Sequence, residues 1–161
     1  MSHVRYIDKT RDYYRGVGYD RPYQWAHFDD IPFVRLDKPL SDSRLGVVTT
    51  SEMALVDVPG IWDDNPGSDV YALATDTPIE RLCTKKDSYD RHATTLDDVN
   101  AYLPLTRLAE CVAAGRLRAL APRFQVIYSQ YSQRKTTTVD APEILRQMRE
   151  DRVDVAVLTA I

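Results

Sequence analysis

The pattern of hydrophobic and polar positions in the last third of the chain predicts a strand, a helix and a second strand. Residues 124–129 form a β-rich run, and residues 153–159 are dominated by β-branched side chains. Between them, Asp140 is placed to cap a helix over residues 141–149. Strand, helix and strand in this order form a βαβ unit, in which the two strands are parallel and the crossover is right-handed.

Three segments further upstream show the same kinds of pattern. Residues 45–50 and 70–74 are typical of short strands, and residues 105–114 are typical of a helix that Gly115 closes as its C-cap. With the βαβ unit they predict an α/β fold of three layers, with a mainly parallel, Rossmann-like sheet. We assign residues 44–161 to this α/β domain.

Residues 1–43 differ from the rest and predict an N-terminal helix followed by a wrapping arm. A helical pattern covers residues 6–15, whereas residues 20–39 contain three prolines and several acids and predict an extended segment. Aromatic side chains alternate here with arginines, namely Tyr6, Tyr13, Tyr14, Tyr19, Tyr23 and Trp25 with Arg5, Arg11, Arg15 and Arg21. Such a surface can stack on single-stranded nucleic acid, but the acids among these residues oppose that interpretation. We expect the aromatics to anchor the arm on the core or to bury a subunit contact.

Composition and charge exclude several classes of protein. The chain has 161 residues, 43% of them hydrophobic and 28% charged, as in an ordinary globular domain. Its 21 Lys and Arg residues are balanced by 24 Asp and Glu residues. The net charge of −3 argues against a general binder of nucleic acid or of anionic membranes. No apolar stretch approaches the ~20 residues that a membrane span needs.

The two cysteines, Cys83 and Cys111, have a spacing typical of neither metal sites nor redox motifs. We therefore expect a reduced cytoplasmic protein, with Cys111 as a small buried hydrophobe in its helix. The histidines are too scattered along the chain to predict a metal site, and the sequence leaves the cofactor unknown.

His92 is the strongest candidate for acid–base chemistry, because Asp98 lies close to it in sequence. A histidine held by a carboxylate can act as a general acid or base, which makes these two residues candidate catalytic residues. The alternative interpretation is that the acids cap the helix after Asn100 and that His92 lies on a surface loop. No phosphate-binding glycine loop and no nucleophile elbow is present to suggest another chemistry.

The carboxyl ends of the predicted strands define a candidate binding site, because parallel sheets bind ligands at that edge. Small polar residues follow the strands there, and we predict that Thr50, Ser51, Ser129 and Tyr131 bind substrate together with Asn100 from a loop. Residues 136–138, all threonine, either offer hydroxyls to an anion or form an exposed linker.

Several segments, taken in order, resemble the glycine/sarcosine/betaine reductase selenoprotein B family, including its cysteine-containing relatives. The matching segments are Tyr23-Gln24-Trp25-Ala26, residues 40–50, residues 92–108, Gly115-Arg116-Leu117, residues 120–123, and Ala141-Pro142-Glu143-Ile144 with residues 153–158. The resemblance covers most of residues 5–160. It implies an α/β fold and a place in reductive chemistry on small amine-type or related substrates.

In that family, a redox selenocysteine or cysteine follows the strand that residues 153–159 match, whereas only Ala160 and Ile161 follow here. The resemblance therefore implies a subunit or half-enzyme that shapes a small-molecule pocket while a cysteine-bearing partner performs the redox step. Two alternatives stay open. One is a stand-alone small-molecule-binding or structural subunit without turnover. The other is a thiol-independent hydrolase or lyase that uses His92.

The aromatic arm and the apolar strand at residues 153–159 also predict association with another chain. Tyr, Trp and Arg are enriched at the centres of protein interfaces, and unpaired strand edges favour pairing. We expect a homo-oligomer or a complex with a second, cysteine-containing subunit. The alternative is a monomer in which the arm folds over its own sheet.

Overall fold

The computed structural model describes residues 5–21, 28–31, 33–58, 70–84, 95–128 and 132–160. The chain divides into two compact units, Met1–Val34 and Arg35–Ile161, which are described separately. In the described parts of both units, no helix is long and apolar enough to cross a membrane. The predicted division into residues 1–43 and 44–161 stays a prediction.

The first unit contains helix α1 (Tyr6–Gly16), which confirms the predicted N-terminal helix. Its apolar positions recur at helical spacing, so that Tyr6, Tyr13 and Tyr14 lie on one face, and all three are exposed. The Tyr14 ring packs edge-on against the rings of Tyr13 and Tyr19, with centroids 5.5 and 5.6 Å apart. The aromatic side chains of α1 are thus solvent-facing, and the wrapping role of the arm stays a prediction.

The second unit contains every strand and the remaining helices of the described chain. The strands are β1 (Arg44–Thr49), β2 (Met53–Leu55), β3 (Val70–Ala74), β4 (Leu82–Thr84), β5 (Ala119–Leu120), β6 (Arg123–Ile127) and β7 (Val155–Thr159). The helices are α2 (Leu105–Ala113), α3 (Gln133–Lys135) and α4 (Ala141–Glu150), with 3-10 turns at Leu40–Asp42, Ile79–Arg81 and Val99–Ala101. The predicted strands at β1, β3, β6 and β7, and the predicted helix at α2, are confirmed.

The main sheet is mostly parallel, as predicted. Strand β1 pairs in parallel with β7 along one side, and with β5 and β6 along the other. Strand β3 pairs with β6 in the antiparallel sense and forms the opposite end of the sheet. Strands β2 and β4 form a separate antiparallel ribbon, which the hydrophobic pattern did not predict. The chain is therefore a mixed α/β protein with a mostly parallel sheet.

The side chains of β1 alternate between two apolar clusters. Leu45 and Val47 join the larger cluster, which also contains Phe124 of β6 and buried residues of α2 and the ribbon. Val48 belongs to the smaller cluster, together with Ile144 of α4. Because successive strand residues point to opposite faces, these two clusters lie on the two faces of the sheet.

The helix before β7 begins earlier than predicted, and the predicted N-cap at Asp140 is wrong. Asp140 is only 3% exposed and has helical backbone angles without a capping hydrogen bond from its side chain. The cap is Ser132, whose side chain accepts a hydrogen bond from the backbone N–H of Lys135. A π-helical turn at Thr136–Asp140 joins α3 to α4. Pro142 explains this wide turn, because proline has no N–H and clashes with the carbonyl four residues before it.

The three threonines of this turn are helical, so the linker interpretation is wrong. The Thr137 hydroxyl donates to the carbonyl of Gln133 at 3.0 Å, and the Thr138 hydroxyl donates to the carbonyl of Arg134 at 2.8 Å. Such back-bonding to the preceding turn is a common use of threonine inside helices. These two hydroxyls serve the helix itself, which leaves them less available to an anion.

Asp154, just before β7, bonds to the beginning of β1, and this contact predicts that the stability of the fold depends on pH. Its Oδ2 accepts the backbone N–H of Arg44 at 2.8 Å, and its Oδ1 lies 2.7 Å from Lys38 Nζ. The N–H of Arg44 is the main cause that lowers the pKa of Asp154, and Lys38 adds to it. A lowered pKa stabilises the fold above the ordinary value of 3.8, and that contribution is lost as the pH falls through the lowered value.

We therefore expect Asp154→Asn to lower the melting temperature at neutral pH, and the difference from the wild type to shrink as the pH falls below the ordinary pKa. Asp37→Asn is the matched control, because Asp37 is exposed and forms no ion pair among the described residues. Thermal melts over a pH series measure both variants. A difference that stays constant with pH would contradict this role for the Asp154 charge.

Candidate functional site at the carboxyl edge of the sheet

The parallel strands β1, β6 and β7 end at the same edge of the sheet, at Thr49, Ile127 and Thr159. This is the edge at which α/β sheets bind ligands. Thr50 lies here, and its backbone N–H donates to the carbonyl of Thr159 at 3.2 Å, which ties the ends of β1 and β7 together. The predicted site residues His92, Ser129 and Tyr131 lie outside the described residues.

Ser51 is buried in the turn that leads from β1 to β2. The Thr49 hydroxyl donates to Ser51 Oγ at 2.7 Å, and Thr49 Oγ1 accepts the backbone N–H of Ser51 at 3.1 Å. The carbonyl of Ser51 accepts the hydroxyl of Thr84 from the ribbon. Both Thr49 and Ser51 are 0% exposed, so these hydroxyls stabilise the turn. Thr50 is the half-buried hydroxyl-bearing residue of this turn.

Asp98 and Asn100 act as caps in the segment that leads into α2. Asp98 Oδ1 accepts the backbone N–H of Asn100 at 3.0 Å at the start of a 3-10 turn. Asn100 Oδ1 accepts the backbone N–H of Thr106 at 3.1 Å, which satisfies one of the free N–H groups in the first turn of α2. These contacts agree with the capping interpretation of the acids. The pairing of Asp98 with His92 stays a prediction.

Tyr102 is a buried phenol that the sequence did not single out. It is 7% exposed, and its hydroxyl donates to the carbonyl of Leu96 at 3.2 Å. Burial is the main cause that raises the pKa of Tyr102, and the nearby Cys83 and Asp98 raise it further. The phenol therefore stays neutral and acts as a hydrogen-bond donor, with Cys83 and Asp98 within electrostatic range of it.

Gln125 is a second polar side chain that the sequence did not reveal. It is 1% exposed and lies on the face that α4 covers, where its Nε2 donates to Gln147 Oε1 at 3.4 Å. Its Oε1 has no hydrogen-bond partner in the part of the chain that the structure describes. Gln147 in turn donates to Glu143 at 2.8 Å. The hydrogen bond from Arg146 is the main cause that lowers the pKa of Glu143 to about 2, and the hydrogen bond from Gln147 lowers it further. Glu143 is therefore ionised at neutral pH, at the end of the hydrogen-bonded series Gln125, Gln147 and Glu143.

The two cysteines lie in different elements and are both half-buried free thiols. Cys83 pairs opposite Ala54 in the ribbon of β2 and β4. Cys111 lies in α2 and packs against the larger apolar cluster, as predicted, but it is half-buried and not fully buried. Among the described residues, no group of three His, Cys, Asp or Glu side chains is arranged to hold a metal ion.

The capping contact of Asn100 gives a testable prediction. Asn100→Ala removes the acceptor for the N–H of Thr106 and is expected to lower the free energy of unfolding by about 0.5–2 kcal/mol. Asn100→Asp keeps an oxygen at this place and is expected to retain most of the stability. Urea unfolding followed by circular dichroism measures both variants. Equal stability of Asn100→Ala and the wild type would show that the cap contributes nothing.

Comparison with protein-family models, with curated proteins and with solved structures finds no match for this chain. The strand order and directions define the class of the fold, a mixed α/β protein with a mostly parallel sheet. The resemblance to selenoprotein B remains a hypothesis that rests on the sequence.

Proposed function

We propose that the chain is the substrate-binding subunit of an oxidoreductase that resembles the selenoprotein B component of glycine/sarcosine/betaine reductase. In this proposal the chain shapes the pocket for a small amine-type substrate at the carboxyl edge of its sheet. A cysteine-bearing partner supplies the redox step. The chain works in the cytoplasm, where its own two thiols stay reduced.

The observation that carries the binding role is the common end of three parallel strands at one edge. Strands β1, β6 and β7 run in the same direction, and Thr50 follows directly after β1 with partial access to solvent. Such an edge offers backbone groups at the strand ends together with the short side chain of Thr50. These groups suit a small polar substrate, because each can form a hydrogen bond at little cost in side-chain entropy.

The positions of the cysteines support a redox partner outside this chain. Cys111 packs against the apolar core, and Cys83 lies in the ribbon, so neither follows the end of a strand of the main sheet. Thiol chemistry needs an accessible thiolate in an electropositive environment. A separate chain with its own cysteine meets that need more directly than either of these half-buried thiols.

A three-layer, Rossmann-like arrangement is part of the proposal. In its favour, the larger apolar cluster includes α2 and the smaller includes α4, on opposite faces of the main sheet.

The proposed partner is a second copy of the chain or the cysteine-containing subunit. The exposed tyrosines of α1 are suited to such a contact. Light scattering of the purified chain tests it, and a monomer mass with and without a co-encoded chain would contradict it.

Calorimetric titration with glycine, sarcosine and betaine tests the binding role. We expect the wild-type chain to bind at least one of these three compounds. Thr50→Val replaces the hydroxyl of this half-buried residue with a methyl group and is expected to weaken binding by about tenfold, which corresponds to about 1.4 kcal/mol for one lost hydrogen bond.

Thr77→Val is the matched control for this titration. Thr77 is also half-buried, and its hydroxyl donates to the carbonyl of Ala74 at 2.7 Å at the end of β3. Because β3 is antiparallel to β6, Thr77 lies at the opposite edge of the sheet. Equal weakening by the two variants, or no heat of binding with any of the three compounds, would count against the proposed function.

A further inference from the structure

Strand β7 has one face that no helix in the described part of the second unit covers. Val155 and Val157 pack against the larger apolar cluster, whereas Ala156 and Leu158 point to the other face and are exposed. Leu158 is 76% exposed, although it lies level with Val48 of β1, which is 5% exposed. The exposures differ because Val48 packs in the smaller apolar cluster with α4, whereas Leu158 lies on the neighbouring strand at the edge of the sheet.

The flank of α4 that faces β7 is apolar as well. Gln147 contacts Gln125 of β6, so the flank of α4 that carries Gln147 faces β6. Leu145 is two residues earlier, about 160° away around the helix, and therefore lies on the β7 side. It is 47% exposed, and Ala141 lies one turn before it on the same flank. Leu145 and Ala141 on α4, with Leu158 and Ala156 on β7, are thus exposed apolar residues on adjacent sides of the two elements, and we call the space between them the α4–β7 groove.

Two arginines border the groove at the end of α4, and their charges are not neutralised. Arg149 lies one turn after Leu145, and Arg152 follows the helix, and neither side chain has an ion pair or hydrogen bond among the described residues. The acids of α4 are engaged elsewhere: Glu143 and Glu150 bind Arg146, and Glu150 also lies 2.9 Å from Arg123. The two acids beside Arg152 are paired as well, Asp151 with Arg123 and Asp154 with Lys38. The net charge beside the groove is therefore positive.

We propose that the α4–β7 groove binds an amphipathic helix of a partner protein, with acidic residues beside the apolar stripe of that helix. Helices pack side by side at about 8–10 Å, and β7 leaves the space next to α4 open for one. Leu145 and Leu158 contact the apolar stripe, and Arg149 and Arg152 pair with the acidic flank. A second copy of the same face fits less well, because it would bring four unpaired arginines into one interface.

Fluorescence anisotropy with the full chain and two labelled helical peptides tests this proposal. Both peptides carry leucines at positions i, i+3, i+4 and i+7, and they differ only in whether glutamates or lysines flank that stripe. We expect the glutamate peptide to bind about tenfold more tightly than the lysine peptide, and the preference to weaken as salt is added. Leu158→Ser and Leu145→Ser are expected to abolish the binding, and both side chains are exposed enough to be replaced without unfolding.

Charge reversal separates binding in the groove from general electrostatic attraction. Arg149→Glu with Arg152→Glu is expected to reverse the peptide preference. The matched double variant Arg116→Glu with Arg134→Glu has the same net charge and changes exposed arginines elsewhere, so it is expected to keep the preference. Equal binding of the two peptides, no binding of either, or the same effect of both double variants would overturn the proposal. A dimer of the wild type that Leu158→Ser dissociates would also overturn it, in favour of a second copy.

Discussion

Phe124→Ala is expected to lower the free energy of unfolding by about 3–5 kcal/mol, because it removes a whole aromatic ring from the packed core. Phe124 is 0% exposed in the middle of β6 and lies in the larger apolar cluster with Leu45 and Val47. Its removal leaves a cavity between the sheet and α2, since neighbouring strands on both sides hold β6 in place. Urea unfolding measures the loss as a lower midpoint concentration at an unchanged m-value, the slope of the free energy of unfolding against urea concentration.

Phe124→Leu is the matched control for this cavity. Leucine keeps most of the apolar volume, so we expect a loss clearly smaller than that of Phe124→Ala. If the two variants were equally stable, the ring of Phe124 would not be the packing centre that its burial indicates.

Gly46→Leu is expected to lower the free energy of unfolding by about 1–3 kcal/mol, because α4 and the segment before β7 pack closely against β1 at this glycine. A Cβ atom on Gly46 would lie 3.0 Å from Val153 Cγ1 and 3.1 Å from Met148 Cε. Both contacts are tighter than ordinary van der Waals distances. A full leucine side chain therefore forces Met148 and Val153 out of their places.

A second substitution tests the steric reason for this loss. Met148→Ala removes the flexible side chain above Gly46, and we expect the double variant Gly46→Leu/Met148→Ala to be more stable than the sum of the two single losses predicts. Residues in contact commonly show coupling of about 0.5–3 kcal/mol in such cycles. Additive losses would show that the effect of the leucine does not arise at Met148.

The elements with strong hydrophobic patterns could be predicted from the sequence, because their burial follows the period of the element. This holds for β1, β6 and β7 and for α2, where apolar residues recur at the spacing of a strand or a helix. The ribbon of β2 and β4 could not be predicted in this way, because each strand has three residues and is stabilised by a partner distant in sequence. A run of three residues carries no readable period.

The true start of the helix before β7 is hidden in the sequence for a different reason. Asp140 followed by Ala141 and Pro142 has the local pattern of a helix start. The helix passes through this point, because a π-helical turn accommodates Pro142 and Ser132 provides the cap. Capping preferences are local, whereas the burial of Asp140 depends on the packing of the whole helix.

The sequence predicts the position of the candidate site, at one edge of the sheet, better than the roles of its side chains. Thr50 lies at that edge, but Ser51 is enclosed in a buried turn, and Asp98 and Asn100 cap backbone groups. Short polar residues after a strand have the same sequence pattern whether they bind a ligand or satisfy the backbone. Only the hydrogen-bond partners in the fold separate the two roles.

An amide-resolved NMR titration of the full chain with sarcosine tests whether the chain binds a small amine at the carboxyl edge of its sheet. We expect chemical-shift changes at Thr50 and Thr159, where parallel strands end together, and none at Ala119 and Val155, which lie at the opposite edge. Shift changes confined to Ala119 and Val155, or no change at millimolar sarcosine, would contradict binding at this edge.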